Sequence, residues 1–197
     1  MSKTLTFYFD YVSPYSFLAQ SQLAALKQRT GCEIQFVPAF LGGIHQSQEV
    51  KSPAFIPAKA KWIYRDCHLW ANHYGITLNW CQQFPFNSIF LLRVTLVVQR
   101  QDPDRVFDLV TGMFNEIWQN QLDVNDPQAV ASALSKLGFD PQALLDGTAQ
   151  ADIKQALLDN GETAVTKGLF GLPAFEVDGD IFFGQDRLLF VEQALSA

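Results

Sequence analysis

The sequence predicts an α/β fold interrupted by a large all-helical insertion, and three observations carry that expectation. An alternating apolar strand runs straight into an amphipathic helix near the N-terminus. Roughly the middle hundred residues show helical periodicity with no strand of comparable strength, and strand character returns only near the C-terminus. The order is βα, β, helical block, ββα. Residues 1–56 and 168–197 are therefore expected to complete one discontinuous domain around an insertion over 57–167.

The first strand lies in Leu5 to Tyr15 and stops at Ser13-Pro14. Ser13 sits where an N-cap sits, and Pro14 occupies the first helical position, where a missing N–H costs nothing. A hydroxyl at a helix N-terminus can serve only as a cap. It can also help hold an anion, because the free N–H groups and the helix dipole favour negative charge there. Tyr15, Leu18, Ala19, Leu23 and Leu26 recur at steps of three and four, giving a helix that ends near Gly31. Glu33 to Ala39 reads as a second strand, parallel to the first through a βαβ unit.

Phe40 to Pro57 reads as loop, with Gly42-Gly43, Pro53 and Pro57 among polar residues and Lys51 and Lys59 on either side. Beyond Pro57, Trp62, Leu69 and Trp70 share a helical face, with Lys59 and Asp66 near the same line. Asp66 can pair with a base or stay at the water's edge, and a structural role suits it better. Asp102-Pro103, Asp126-Pro127 and Asp140-Pro141 repeat a helix-start signal, and Asn87-Ser88 offers a fourth. Ala174 to Val177 and Ile181 to Phe183 flank Asp178-Gly179-Asp180 as a hairpin, and Gly184-Gln185-Asp186 opens the closing helix.

Composition narrows the function classes. A chain of 197 residues with 48% hydrophobic content can bury a sizeable core. A net charge of −6 without basic runs argues against nucleic-acid binding. No apolar run approaches membrane-spanning length, and Cys32, Cys67 and Cys81 are dispersed without Cys-x-x-Cys or zinc-ligand spacing. The expectation is a soluble cytoplasmic protein without a metal. The pair His68 and His73 is not the usual i, i+4 metal pair.

A second constellation joins the helical block to the returning strand: Gly168-Leu-Phe-Gly-Leu-Pro173. Pro173 can simply initiate a strand. If its bond were cis, the Leu172 backbone would turn outward to meet an extended peptide. Taken in order, Ser13-Pro14-Tyr15, Phe170-Gly-Leu-Pro173 and Gly184-Gln-Asp-Arg187 resemble the kappa-class glutathione transferases and the bacterial 2-hydroxychromene-2-carboxylate isomerases. The resemblance covers nearly the whole chain and implies a thioredoxin-like fold with a DsbA-like helical insertion, working as a homodimer. Ser13 falls where thiol oxidoreductases carry the first cysteine of Cys-x-x-Cys, so disulfide exchange by this chain's own thiols is not expected.

What the resemblance implies for chemistry is a borrowed thiol. The cofactor would be glutathione, its sulfur receiving a hydrogen bond from Ser13, which favours the nucleophilic thiolate. Pro14, Tyr15, Leu172 and Pro173 would line the tripeptide, Leu172 pairing its backbone with the cysteinyl part. Lys59 would face the glycine carboxylate, and Gln185 and Asp186 the γ-glutamyl end. The implied reaction is glutathione-dependent isomerisation of a chromene-type aromatic catabolite by addition, ring opening, rotation and elimination. Phe84, Phe86, Trp62 and Tyr15 are candidates for the aromatic wall, with Phe86 at a substrate position. Two departures stand out: Val50 replaces a family asparagine, and Phe86 lacks the hydroxyl of a family tyrosine. The alternatives are a kappa-type transferase or peroxidase, or a peptide-binding module that has lost its chemistry.

Overall fold

The computed structural model describes residues 3–197. Strand β1 (Thr4–Phe9) puts Leu5, Phe7 and Phe9 on one fully buried face, as its period of two requires. β2 (Glu33–Pro38) pairs parallel to it with Phe36 opposite Phe7, and β3 (Ala174–Val177) pairs antiparallel on its other side with Phe175 opposite Phe7. β4 (Asp180–Phe183) follows β3 through the Asp-Gly hairpin, giving the sheet order β2-β1-β3-β4. The sequence-distant strand pieces thus close into one sheet, with β1 at its centre.

Between β1 and β2 runs α1 (Pro14–Thr30), which stops at Gly31 with φ of +68°, its N–H reaching Lys27 O at 2.8 Å. Only glycine adopts that left-handed conformation without strain. The segment expected to be loop instead begins with α2 (Leu41–Ser47) and later makes a 3₁₀ turn at Pro53–Phe55. The Gly-Gly pair that reads as a breaker has a packing reason: a Cβ on Gly42 would lie 2.7 Å from Cζ of Phe40, whose ring folds over the helix start.

The helical insertion comprises α3 (Pro57–Tyr74), α4 (Ile89–Gln101), α5 (Val106–Trp118), α6 (Pro127–Lys136), α7 (Pro141–Thr148) and α8 (Ala151–Thr166). Asp126 and Asp140 cap α6 and α7 through their carboxylates, whereas Asp102 makes no side-chain cap and opens a 3₁₀ turn ahead of α5. At α4 the carboxamide of Asn87, not Ser88, accepts from the Ile89 N–H. After β4, a 3₁₀ turn at Gln185–Arg187 leads into α9 (Leu188–Ser196).

One aromatic core joins sheet and insertion. Phe7 stacks on Phe9 and Phe175, both at 5.3 Å, and Phe9 and Tyr11 contact Phe114 of α5. Trp118 donates its indole N–H to Tyr11 O at 3.0 Å from a fully buried position. A smaller cluster around Tyr8, Ile44, Leu169 and Leu172 lies apart from this core. No helix among the described residues is long and apolar enough to cross a membrane.

Candidate active site

β1 ends at Phe9 and the chain turns into α1 through Asp10 to Ser13, so this turn fixes where the Ser13 hydroxyl lies. Ser13 N–H donates to Asp10 O at 3.0 Å. Its Oγ accepts the Ser16 N–H at 3.1 Å and donates to the Leu172 carbonyl at 3.1 Å. Ser13 is therefore a cap and, at the same time, a cross-link between two motifs 159 residues apart. The Leu172–Pro173 bond is cis. Among the described residues neither the Leu172 N–H nor the Tyr15 N–H has a backbone acceptor, which leaves two donors beside the hydroxyl.

Asp10 braces this turn from beneath. Fully buried, it accepts the Val12 N–H on Oδ1 at 3.1 Å and the Leu41 N–H on Oδ2 at 2.8 Å, tying the serine turn to the start of α2. Burial pushes its carboxyl up to about 6, against the pull of those backbone donors.

Ser13 and Leu172 open onto a cleft of about 350 Å³. Tyr15, Ile63, Phe84, Pro85, Phe170 and Phe183 give it apolar walls, and Pro14 lies beside Ser13 in the lining. His45, Lys51, Ser52 and Lys59 supply polar groups. Burial holds the His45 imidazole below its ordinary value, which favours the neutral ring. Tyr15 is fixed as a wall by its hydroxyl, which donates to Asp66 Oδ2 at 2.8 Å. Burial, then the neighbouring Cys67 and Asp66, push that hydroxyl far above the tyrosine range, so it stays a donor. Asp66 thus links α3 to α1, the structural role its position suggested.

The other expected site residues divide. Lys59 lines the cleft. Pro173 follows Leu172 but is not among the lining residues, and Gln185 and Asp186 come just past Phe183 without lining it themselves. Gln185 is buried and accepts the Tyr74 hydroxyl at 2.5 Å, and Asp186 pairs with Arg187 at 3.0 Å. Burial and then Asp186 raise Tyr74 to about 12. Phe86 needs correction: it is buried in the aromatic core, its ring 6.5 Å from that of Trp118, while Phe84 and Pro85 face the cleft in its place. His45 and Ser52, which the sequence reading gave no role, come from the stretch taken as loop, where nearness to Lys51 was the available signal; Val50, at the place of a family asparagine, lines the cleft as well.

The chain brings no thiol of its own to this place. Cys32, Cys67 and Cys81 are buried and unpaired, none lines the cleft, and burial pushes the Cys67 thiol well up. The site offers a hydroxyl, open backbone donors, two lysines and aromatic walls, an arrangement suited to binding a guest and stabilising negative charge on it.

Fold and cleft together define a thioredoxin-type protein of the DsbA branch. The DSBA-like thioredoxin domain model matches residues 4–196, and the chain belongs to that family. Within it, the chain is 31% identical over 201 residues to the 2-hydroxychromene-2-carboxylate isomerase of Sphingobium xenophagum, covering 99% of each. It is 26% identical over 200 residues to human glutathione S-transferase kappa 1, covering 95% of this chain and 88% of that one. Among solved structures, a selenomethionine 2-hydroxychromene-2-carboxylate isomerase superposes with a TM-score of 0.88 at 24% identity, covering 98% of this chain and 94% of that one. A probable DsbA oxidoreductase from Streptomyces coelicolor gives 0.76 at 16% identity, covering 98% and 88%; both likenesses speak to fold.

Proposed function

We propose that this chain is a glutathione-dependent isomerase acting on a 2-hydroxychromene-2-carboxylate-type aromatic catabolite, with Ser13 as the catalytic residue. The observation that carries the reading is the Ser13 hydroxyl bonded to Leu172 O in a cleft that also holds Lys51 and Lys59. Glutathione fits the residues present: the tripeptide is an extended anion with a backbone of its own, and the cleft offers open N–H groups and two ammonium groups. When bound, it supplies a thiolate able both to add to and to leave an electrophilic carbon, which divides one hard isomerisation into easier steps.

The chain's own residues do the rest. Ser13 exchanges its hydrogen bond from Leu172 O to the guest sulfur, and the Tyr15 N–H at the positive end of α1 adds to the same stabilisation. Leu172 offers its freed carbonyl and its N–H to the cysteinyl backbone, with Pro14 and Pro173 shaping the strand-like passage. Lys59 neutralises the glycyl carboxylate. Asp186, its side chain 41% exposed, accepts from the γ-glutamyl ammonium, and the Gln185 carboxamide nitrogen donates to the α-carboxylate of the same group. Phe84, Phe170 and Phe183 sandwich the flat substrate and exclude water.

Replacing Ser13 by Ala tests this. Turnover should fall by about 10² to 10³, the usual cost of losing one donor to a developing anion. The bound thiol, ionised below its free value of about 8.5 in the wild type, should return toward that value in the variant. Equal thiolate absorbance in the two proteins would overturn the role of Ser13 whatever happens to turnover.

A second reading, a kappa-type transferase or peroxidase, is favoured by the full-length likeness to human glutathione S-transferase kappa 1, 26% identical over 200 residues. Product analysis separates the two, since only a transferase leaves a glutathione conjugate. We also read the chain as a cytoplasmic homodimer. Its three cysteines are free, and Leu189 and Phe190 of α9 are large apolar side chains exposed outside the cleft. Sedimentation equilibrium returning the mass of one chain would rule out the dimer.

A further inference from the structure

A larger cavity, about 490 Å³, lies away from Ser13 between α2, α4 and α8. It shares one wall with the cleft already described. Leu41 and His45 of α2 face that cleft, while Gly43, Ile44 and Ser47 of the same helix face this cavity. Its lining is mostly apolar, from Phe40, Ile44, Ile89, Leu157 and Val165. Three charged side chains break the pattern: Arg93, Lys154 and Glu162. None of them forms an ion pair among the described residues. Arg93 is the informative one, because its Nε is buried without any hydrogen-bond partner.

The terminal nitrogens of Arg93 make no hydrogen bond among the described residues either and are not buried, so the guanidinium reaches the cavity with its paired donors free for an acceptor. We propose that this cavity is a second ligand site, distinct from the Ser13 cleft, for a small apolar monocarboxylate seated on Arg93. The carboxylate is the acceptor that matches a guanidinium's paired donors, and Lys154 adds a second positive charge. Glu162 in the same lining leaves a net charge of one, which suits a monoanion and opposes a phosphate dianion. The apolar walls call for a hydrocarbon body, and the volume is that of ordinary small-molecule sites. The space is kept open in part by Gly161, where an added Cβ would meet no heavy atom within 4 Å.

Calorimetric titration of the full chain with 2-naphthoate, and with 2-naphthalenemethanol as the neutral match, tests the proposal. The acid should bind about tenfold more tightly than the alcohol, reflecting the charge-assisted bond to Arg93. Arg93→Met should abolish that preference. Gly161→Leu should fill the cavity and block both compounds while glutathione binding is unchanged, because Gly161 lies outside the cleft. The proposal is overturned if neither compound binds, if acid and alcohol bind alike, or if folded Gly161→Leu takes up naphthoate as before, which would put the acid on Lys51 or Lys59. Should Gly161→Leu not fold, Arg93→Met decides alone, an undiminished preference for the acid being the negative result.

Discussion

Asp10 holds two backbone N–H groups from a position without exposure to water, and that position sets its pH dependence. Burial raises its carboxyl from 3.8 to about 6, so the folded protein binds this proton more tightly than the unfolded chain. The resulting stabilisation is fully present below 3.8 and is lost as pH rises through about 6; the difference amounts to about 3 kcal/mol. Asp10→Asn cannot titrate in this window and must aim an amide at one of the two donors. The variant should be less stable at every pH, and its deficit relative to the wild type should grow as pH falls from 7 to 4. Urea midpoints across that range check this, and parallel profiles would contradict it. None of this could be read from the sequence, where Asp10 is only an acid beside an apolar strand. The same limit explains Phe86. Phe84 and Phe86 share composition and neighbourhood, and only the path of the chain around Pro85 decides which ring faces the cleft and which packs on Trp118.

Elements were legible wherever a local cause fixed them. The N-terminal strand, α1, its stop at Gly31, β2 and the β3–β4 hairpin follow from periodicity and turn chemistry. α2 did not, because its glycines answer to the Phe40 ring and not to backbone preference. The three Asp-Pro signals show the same division. Asp140 accepts from Gln142 N–H at 2.9 Å and Ala143 N–H at 3.3 Å, whereas Asp102 makes no such bond at its turn. Asp140→Ala should therefore cost about 1 kcal/mol in urea unfolding, the usual value of a lost N-cap, and Asp102→Ala distinctly less. A second element-scale test lies where α7 crosses α4. A Cβ on Gly147 would fall 2.7 Å from Cγ1 of Val97, a β-branched side chain with little room to turn. Gly147→Ala should destabilise by about 1 to 3 kcal/mol despite the better helix propensity of alanine, and Val97→Ala in the same chain should recover part of the loss. Additive effects of the two changes would mean that the helices do not meet there as described.

At the scale of the molecule, the order of elements told which pieces form the sheet, and the pairing of β1 with both β2 and β3 bears that out. What order alone could not tell is how firmly the helical insertion is bound to that sheet. The buried aromatics supply the answer, since Phe9, Tyr11, Phe17, Phe114 and Trp118 belong to one cluster that crosses from β1 through α1 to α5. A shared core of this kind should make the two parts unfold as one unit. The three free cysteines report on it separately: Cys32 precedes β2, while Cys67 and Cys81 lie within 57–167, and all three are buried. Thiol labelling in increasing urea should therefore return the same opening free energy for all three. Trp118→Phe removes the donor to Tyr11 O and leaves part of an indole's volume empty, for an expected cost of about 2 to 4 kcal/mol. If the core is common, that loss appears equally at Cys32, Cys67 and Cys81. If Cys67 and Cys81 become reactive while Cys32 stays protected, the insertion unfolds on its own, and the cleft between Ser13 and the Lys59, Ile63 and Phe84 side of its lining would open with it.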